Sequence, residues 1–415
     1  MKVHVRNGAR FSRAIRLTSV CGVVLLMTTG CAWISRSSVP SDPHTGWVAN
    51  DGASSPSISA SGRFATFVVN RNERLSPEDT NDVADVYVRD NLTGATEPVS
   101  LTPTGGVSSA GSDSPWISDD GRFVAFRSAA SDLVANDTDG VNDVFVRDRQ
   151  TQTTTLVSVN DDETSIAAPV SSLAISGDGT TIAMCIVTIT VPAQLCGPTE
   201  IRHRTAGTTT LLPHLRNATF AGGASLSYDG SVVAYREAGL QPSTVTLAIA
   251  NSSTAVILDD LGIFPYEFLD AVVVDVKVSG DGSKYALTES RNHFSAPRFG
   301  TVTVGTVGTT TGRVVHRYDW TRSGQLNFDG SILAVTTLTA AGEVMAVDDG
   351  STPLKVVSSN VSGGRPVAVS GETDLSADGK WVTFVTTEND ALGFGGDSQS
   401  AVYTRSVAQR RDPPT

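Results

Sequence analysis

One hairpin, repeated seven times, limits what this chain of 415 residues can fold into. Each copy is a short strand ending in Ser, a turn built on Asp-Gly or its equivalent, and an apolar strand. The clearest copies are PSISASGRFATF (56–67), PWISDDGRFVAF (115–126) and LAISGDGTTIAM (173–184). Weaker ones follow as SLSYDGSVVAY (225–235), VKVSGDGSKYAL (276–287), QLNFDGSILAV (325–335) and TDLSADGKWVTF (373–384). Their turn glycines are Gly62, Gly121, Gly179, Gly230, Gly282, Gly330 and Gly379, at intervals of 59, 58, 51, 52, 48 and 49 residues. Chance does not space such turns so evenly, so the chain is a repeat protein.

Asp-Gly between alternating apolar residues favours a tight hairpin, because Gly takes the positive φ that other residues resist. The first two copies continue into two more strands: DVYVRD (85–90) then TEPVS (96–100), and DVFVRD (143–148) then TTLVS (154–158). Each unit therefore holds four strands, A to D. No segment of useful length carries a helical apolar period. Four-stranded units at a spacing near fifty residues predict an all-β fold, a seven-bladed β-propeller of four-stranded antiparallel blades. A solenoid would need polar capping repeats, and a pair of sandwiches would leave seven copies of one hairpin unexplained.

The last copy supplies strands near Thr373–Ser376, Lys380–Thr386 and Ala401–Val407, while Ala408–Thr415, with two prolines and three charges, makes a poor fourth strand. The ring is therefore expected to be closed by an N-terminal strand, Ile34–Val39 or else Gly46–Asn50. The expected division is an export signal over 1–30, a tether and ring-closing strand over 31–54, the propeller over 55–409 and a disordered tail over 410–415.

The pattern P-x-I-S-x-D-G-R-F-V-A-F followed by D-V-[YF]-V-R-D resembles the TolB-type, WD-repeat-like propeller repeat, which also builds the propellers of prolyl-oligopeptidase relatives. Residues 55–160 carry it closely and the remainder through the A–B hairpin alone. The resemblance implies the architecture. It implies no activity, because one fold carries many functions. Too few residues precede the first repeat for TolB's α/β domain, and none follow the last for a hydrolase domain, so neither role is carried over.

The amino terminus reads as an address. Residues 1–16 are basic, and Leu17–Thr28 is an uncharged, largely apolar run too short to span a bilayer and suited to an export signal. It ends in Thr28-Thr29-Gly30-Cys31, which resembles a bacterial lipobox with Thr28 where Leu is commonest. That makes Cys31 the expected lipid attachment site, with an ordinary secretory signal as the alternative. Of the other cysteines, Cys21 lies within the signal. Cys185 and Cys196, eleven apart, flank a turn region around Pro192 and would either bridge a hairpin in an oxidising compartment or remain two buried thiols.

Charge narrows the partners. The net charge is -12, and the first thirty residues hold five of the 31 bases and no acid, so the exported body is more acidic still. Such a body repels phosphate backbones, which argues against nucleic acid. Six scattered histidines weigh against a His-rich metal centre. No Gly-x-Ser-x-Gly elbow is present. Ser376-Ala-Asp378-Gly379-Lys-Trp381 looks like a sialidase Asp box shortened before both Gly and Trp, and reads as an ordinary A–B turn. Arg89 and Arg147, each beside an Asp in strand C, read as structural.

The acidic loops between strands B and C are the most chemical feature. Asp137, Asp139 and Asp143 in the second repeat, and Asp79, Asn81 and Asp85 in the first, place oxygen ligands at i, i+2 and i+6. This resembles part of a calcium loop, without an EF-hand's distal Glu; a solvated Asx-rich turn is the alternative. Calcium apart, no cofactor is expected. The reading is a monomeric, lipid-anchored propeller on the extracytoplasmic face of the cell membrane, touching the membrane through its anchor alone. It would bind an envelope protein or glycan and catalyse nothing. The competing expectation is a glycosidase or lyase with carboxylates in the central funnel, where crowding at one end would raise a pKa and mark the site.

Overall fold

The computed structural model describes residues 34–36, 52–70, 75–187, 196–212, 218–239, 245–250, 255–260, 271–293, 296–309, 312–318, 321–339, 342–349, 355–359, 367–369, 373–387 and 400–407. The export signal, Cys21, Cys31, the alternative closing segment 46–50 and the tail lie outside them. All the elements among the described residues are β-strands, and no helix there is long and apolar enough to cross a membrane.

The first repeat folds as a four-stranded antiparallel sheet of Ala53–Ile58, Phe64–Val69, Asp85–Asp90 and Thr96–Pro98. The second repeats it with Ser112–Ile117, Phe123–Ser128, Asp143–Asp148 and Thr153–Leu156. Further four-stranded sheets begin at Ala271–Val278 and Thr321–Leu326. The last sheet holds Thr373–Leu375, Trp381–Thr386 and Ala401–Ser406, with Ile34–Arg36 antiparallel on its outer edge; Ile34 faces Arg405, Ser35 faces Thr404 and Arg36 faces Tyr403. The chain is thus an all-β propeller of four-stranded antiparallel blades.

The expected count of seven blades is corrected: the strands assort into six sheets, one of them eight-stranded. The cause lies in the third repeat. Its strand Cys196–His203 is covered by Thr208–Leu211 only over Glu200–His203, which leaves the Cys196 end open. Phe220, near the start of the long strand Ala218–Leu226, pairs there and fuses the third and fourth repeats into one sheet.

The core lies between the sheets. Val68, Val86, Val88 and Val99 of the first sheet pack on Ile117, Val124, Phe126 and Phe145 of the second. Ala53, Phe67 and Tyr87 of the first pack equally on Val385 and Val402 of the last, so the first and last sheets are neighbours. Burying each such large apolar side chain contributes about 1.5–3 kcal/mol.

The A–B turns lock the repeats together. All seven turn glycines have positive φ, between 62° and 76°. Neighbouring turns exchange backbone hydrogen bonds of 2.6–3.1 Å, from Ala60 N to Asp119 O, Asp119 N to Gly177 O, Asp178 N to Tyr228 O, and Tyr228 N to Gly280 O. The chain of bonds continues from Asp281 N to Phe328 O and Phe328 N to Ala377 O, and returns from Asp378 N to Ala60 O. The seven turns therefore form a closed circle. Each turn glycine also sits on a side chain of the preceding repeat: Gly121 on Phe64, Gly179 on Phe123, and Gly62 on Trp381 of the last sheet.

Candidate functional site

Many of the polar residues in the repeat are occupied by the fold. Ser118 Oγ donates to Asp120 Oδ1 (2.6 Å) and accepts from Phe123 N (2.9 Å), while Asp120 Oδ1 also accepts from Arg122 N (2.8 Å). Ser176 with Asp178, Ser227 with Asp229 and Ser376 with Asp378 do the same. Ser376–Trp381 is accordingly an A–B turn, with Trp381 buried beneath Gly62. Arg89 donates to Thr96 Oγ1 (2.9 Å), and Arg147 to Thr154 Oγ1 (3.2 Å) and Gln152 Oε1 (2.8 Å), each tying strand C to strand D. Asp90 pairs with Arg63 (2.9 Å) and Asp148 with Arg122 (2.7 Å), and each also caps its C–D turn. These are braces, with no side chain left over for a ligand.

The mouth of the circle is different. The residue two before each turn glycine faces it, and the seven occupants are Ala60, Asp119, Gly177, Tyr228, Gly280, Phe328 and Ala377. Tyr228 and Phe328 are each 42% exposed, and their rings meet edge to face with centroids 5.9 Å apart and planes at 69°. The glycine before each aromatic makes its room. A Cβ on Gly177 would lie 2.6 Å from Tyr228 Cδ2 and 2.8 Å from Asp119 Oδ2; one on Gly280 would lie 2.6 Å from Phe328 Cδ2. Ring edge and carboxylate thus converge over Gly177. Burial, reinforced by the charges of Asp120 and Asp178, pushes the Asp119 carboxyl up to about 6. Sequence reasoning missed this group. Its signal was two aromatics at a turn position otherwise filled by small residues and one Asp.

Below the mouth, strand-A side chains of non-neighbouring repeats meet across the axis. Lys277 Nζ of the fifth repeat lies 5.9 Å from the ring centre of Trp116 in the second, and 3.6 Å from Asp275. Asp374 accepts from Ile58 N (3.0 Å) and Leu375 N (2.9 Å). Desolvation lifts its carboxyl to about 6 against the opposing pull of those amides, Ser57 and Lys277.

Asp137, Asp139 and Asp143 come together, each offering a ligand atom within 4.8 Å of the others. Asp137 and Asp143 are buried and Asp139 is exposed. In the first repeat Asp79 accepts from Tyr87 Oη (2.7 Å), Asp85 from Ser100 Oγ (2.7 Å), and Asn81 is turned to the backbone of Val83 and Ser108. Cys185 is buried and disulfide-bonded, and on the paired strand Cys196 stands opposite Val187.

No protein-family model matches the chain, and no curated protein matches its sequence. Among solved structures, an oligogalacturonate lyase in complex with manganese aligns over 91% of this chain and 94% of its own, with TM-score 0.57 and 13% identity. The β-propeller domain of the Trilobed protease from Pyrococcus furiosus aligns over 81% and 91%, with TM-score 0.51 and 12% identity. TolB from Acinetobacter baumannii overlaps 64% of this chain and 59% of its own, with TM-score 0.40 and 13% identity, too partial a likeness to bear on role. What the fuller alignments share with this chain is its architecture, and that architecture is the β-propeller.

Proposed function

We propose that this chain is an exported binding module of the cell envelope, tethered through lipid on Cys31, which docks an envelope protein or glycan at the mouth of its propeller and performs no chemistry. The observation that carries this reading is the exposed Tyr228–Phe328 pair beside Asp119, held on a rigid circle of turns. Aromatic rings with a polar neighbour concentrate binding energy, because they bury large area at little cost in side-chain entropy. Immobilised mature protein should retain its partner from solubilised envelope or a panel of envelope glycans. Tyr228→Ala combined with Phe328→Ala should weaken retention at least tenfold, at about 1 kcal/mol or more for each ring, with an unchanged melting temperature. Equal retention by the double variant would refute the reading.

One observation favours a second reading. Asp119, Asp120 and Asp178 gather at the same mouth, and Asp119 holds its proton to about pH 6, as suits a general acid acting on a glycan. Turnover of a glycan that disappears in Asp119→Asn would establish that enzyme in place of the binding module.

The same proposal includes a ring sealed by Ile34–Arg36 and a Cys185–Cys196 bridge. The first is supported by the antiparallel pairing with Ala401–Ser406, which covers an edge that would otherwise be open. Deleting residues 32–50 should lower the melting temperature by several degrees, and an unchanged melt would remove the idea. The second is supported by the disulfide at Cys185 and the neighbouring register of Cys196. Mass spectrometry of the unreduced mature protein tests both the bridge and the lipid.

A further inference from the structure

The B–C loop occurs in two chemical versions, and the difference between them points to an ion. In the second repeat three carboxylates converge within 4.8 Å, with Asp137 and Asp143 only 2% and 0% exposed. Asp143 Oδ1 accepts from Ser158 Oγ, which in turn accepts from Val144 N (3.0 Å). Asp143 Oδ2 and Asp137 Oδ2 are buried with no hydrogen-bond donor, and the other oxygen of Asp137 meets only a long 3.4 Å contact from Asp139 N. A buried carboxylate oxygen without a donor is costly, and like charges beside it add to the cost.

The first repeat places neutral groups at two of the corresponding positions. Neutral Asn81 stands at the position of Asp139, and the Tyr87 hydroxyl donates to Asp79. At the position of Tyr87 the second repeat has Phe145: Tyr87 pairs with Phe67 as Phe145 pairs with Phe126. Phe145 has no hydroxyl to give. Asp85 Oδ2 also lacks a donor, yet among the described residues three carboxylates converge only in the second repeat.

The acids are dispensable to the hairpin itself. In the sixth repeat Ser358 Oγ accepts from Met345 N (2.9 Å), as Ser158 does from Val144, while buried Val344 fills the place of Asp143. A strand of this kind thus tolerates an apolar residue where the second repeat keeps a carboxylate.

We propose that Asp137, Asp139 and Asp143 bind a calcium ion. The donors are all hard oxygens, with no imidazole or thiolate, which excludes the usual zinc and copper ligand sets. Three carboxylates on an irregular loop suit the large, flexible oxygen shell of calcium better than the rigid octahedron of magnesium, and the exposed side at Asp139 leaves room for water ligands.

Calorimetric titration of the mature chain with calcium chloride, after removal of metal by chelator, tests this. One equivalent should bind with a dissociation constant below millimolar, and calcium should raise the melting temperature over that in chelator. Asp139→Asn changes an exposed side chain to the residue found in the first repeat; it should fold normally and bind at least tenfold more weakly. Phe145→Tyr should restore a neutral donor to Asp137, weaken calcium binding and raise the melting temperature in chelator. No heat at millimolar calcium, binding untouched by Asp139→Asn, or magnesium binding as tightly as calcium would each overturn the assignment.

Discussion

Gly121→Val should destabilise the propeller by about 3–5 kcal/mol, combining backbone strain at positive φ with overpacking of a filled site. At φ +74° a β-branched residue is strained in any surroundings. The surroundings make it worse, because a Cβ at Gly121 would lie 2.1 Å from Phe64 Cδ2. Phe64 cannot swing aside easily. Arg63 of its own repeat and Arg149 of the next lie over its ring at 4.8 and 4.3 Å, and Arg149 also donates to the Gly121 carbonyl. Gly105→Val is the control, since Gly105 has φ +89° and nothing within 4 Å of its Cβ position. It should show the strain alone, about 1–3 kcal/mol. Thermal melts of the two variants compare them directly. Equal losses would mean that the glycine-on-ring contact between repeats contributes nothing.

Asp374 should make the molecule lose stability as pH rises. Its carboxyl is lifted from 3.8 to about 6, so the folded chain keeps a proton that the unfolded chain releases between those values. The contribution is fully present below about pH 4 and is lost as pH climbs through 6, a change of about 1–3 kcal/mol. Asp374→Asn has no proton to lose. Its melting temperature should therefore gain on the wild type between pH 4 and 7, with the contributions of Asp119 and the other acids cancelling in the difference. A gap between the two melts that stays constant over that range would show that Asp374 is already ionised when folded.

What the sequence displayed and what it concealed divide along a physical line. Interactions inside one repeat were visible. The turn glycines, the Ser-x-Asp brackets and the four strands all follow from short spacings, and so does the approach of Asp137, Asp139 and Asp143 at i, i+2 and i+6. Interactions between repeats were hidden, because they join residues of different repeats that no short spacing links. Phe64 beneath Gly121 and Lys277 facing Trp116 belong to that class. So does the pairing of Cys196 with Phe220, which makes six sheets out of seven hairpins. Tyr228 and Phe328 were legible as residues but not as neighbours, since only the closed circle brings the fourth and sixth turns together.

A loop of bonds that returns to its own start has no privileged beginning. The return bond from Asp378 to Ala60 is of the same kind as the link from Ala60 to Asp119. Where the polypeptide is cut should therefore matter little to the finished ring, provided the cut falls in an exposed connection such as the one around Gly105. It also means that unravelling cannot creep inward from a free end, as it does in an open stack of repeats; one link has to break before any neighbour can leave.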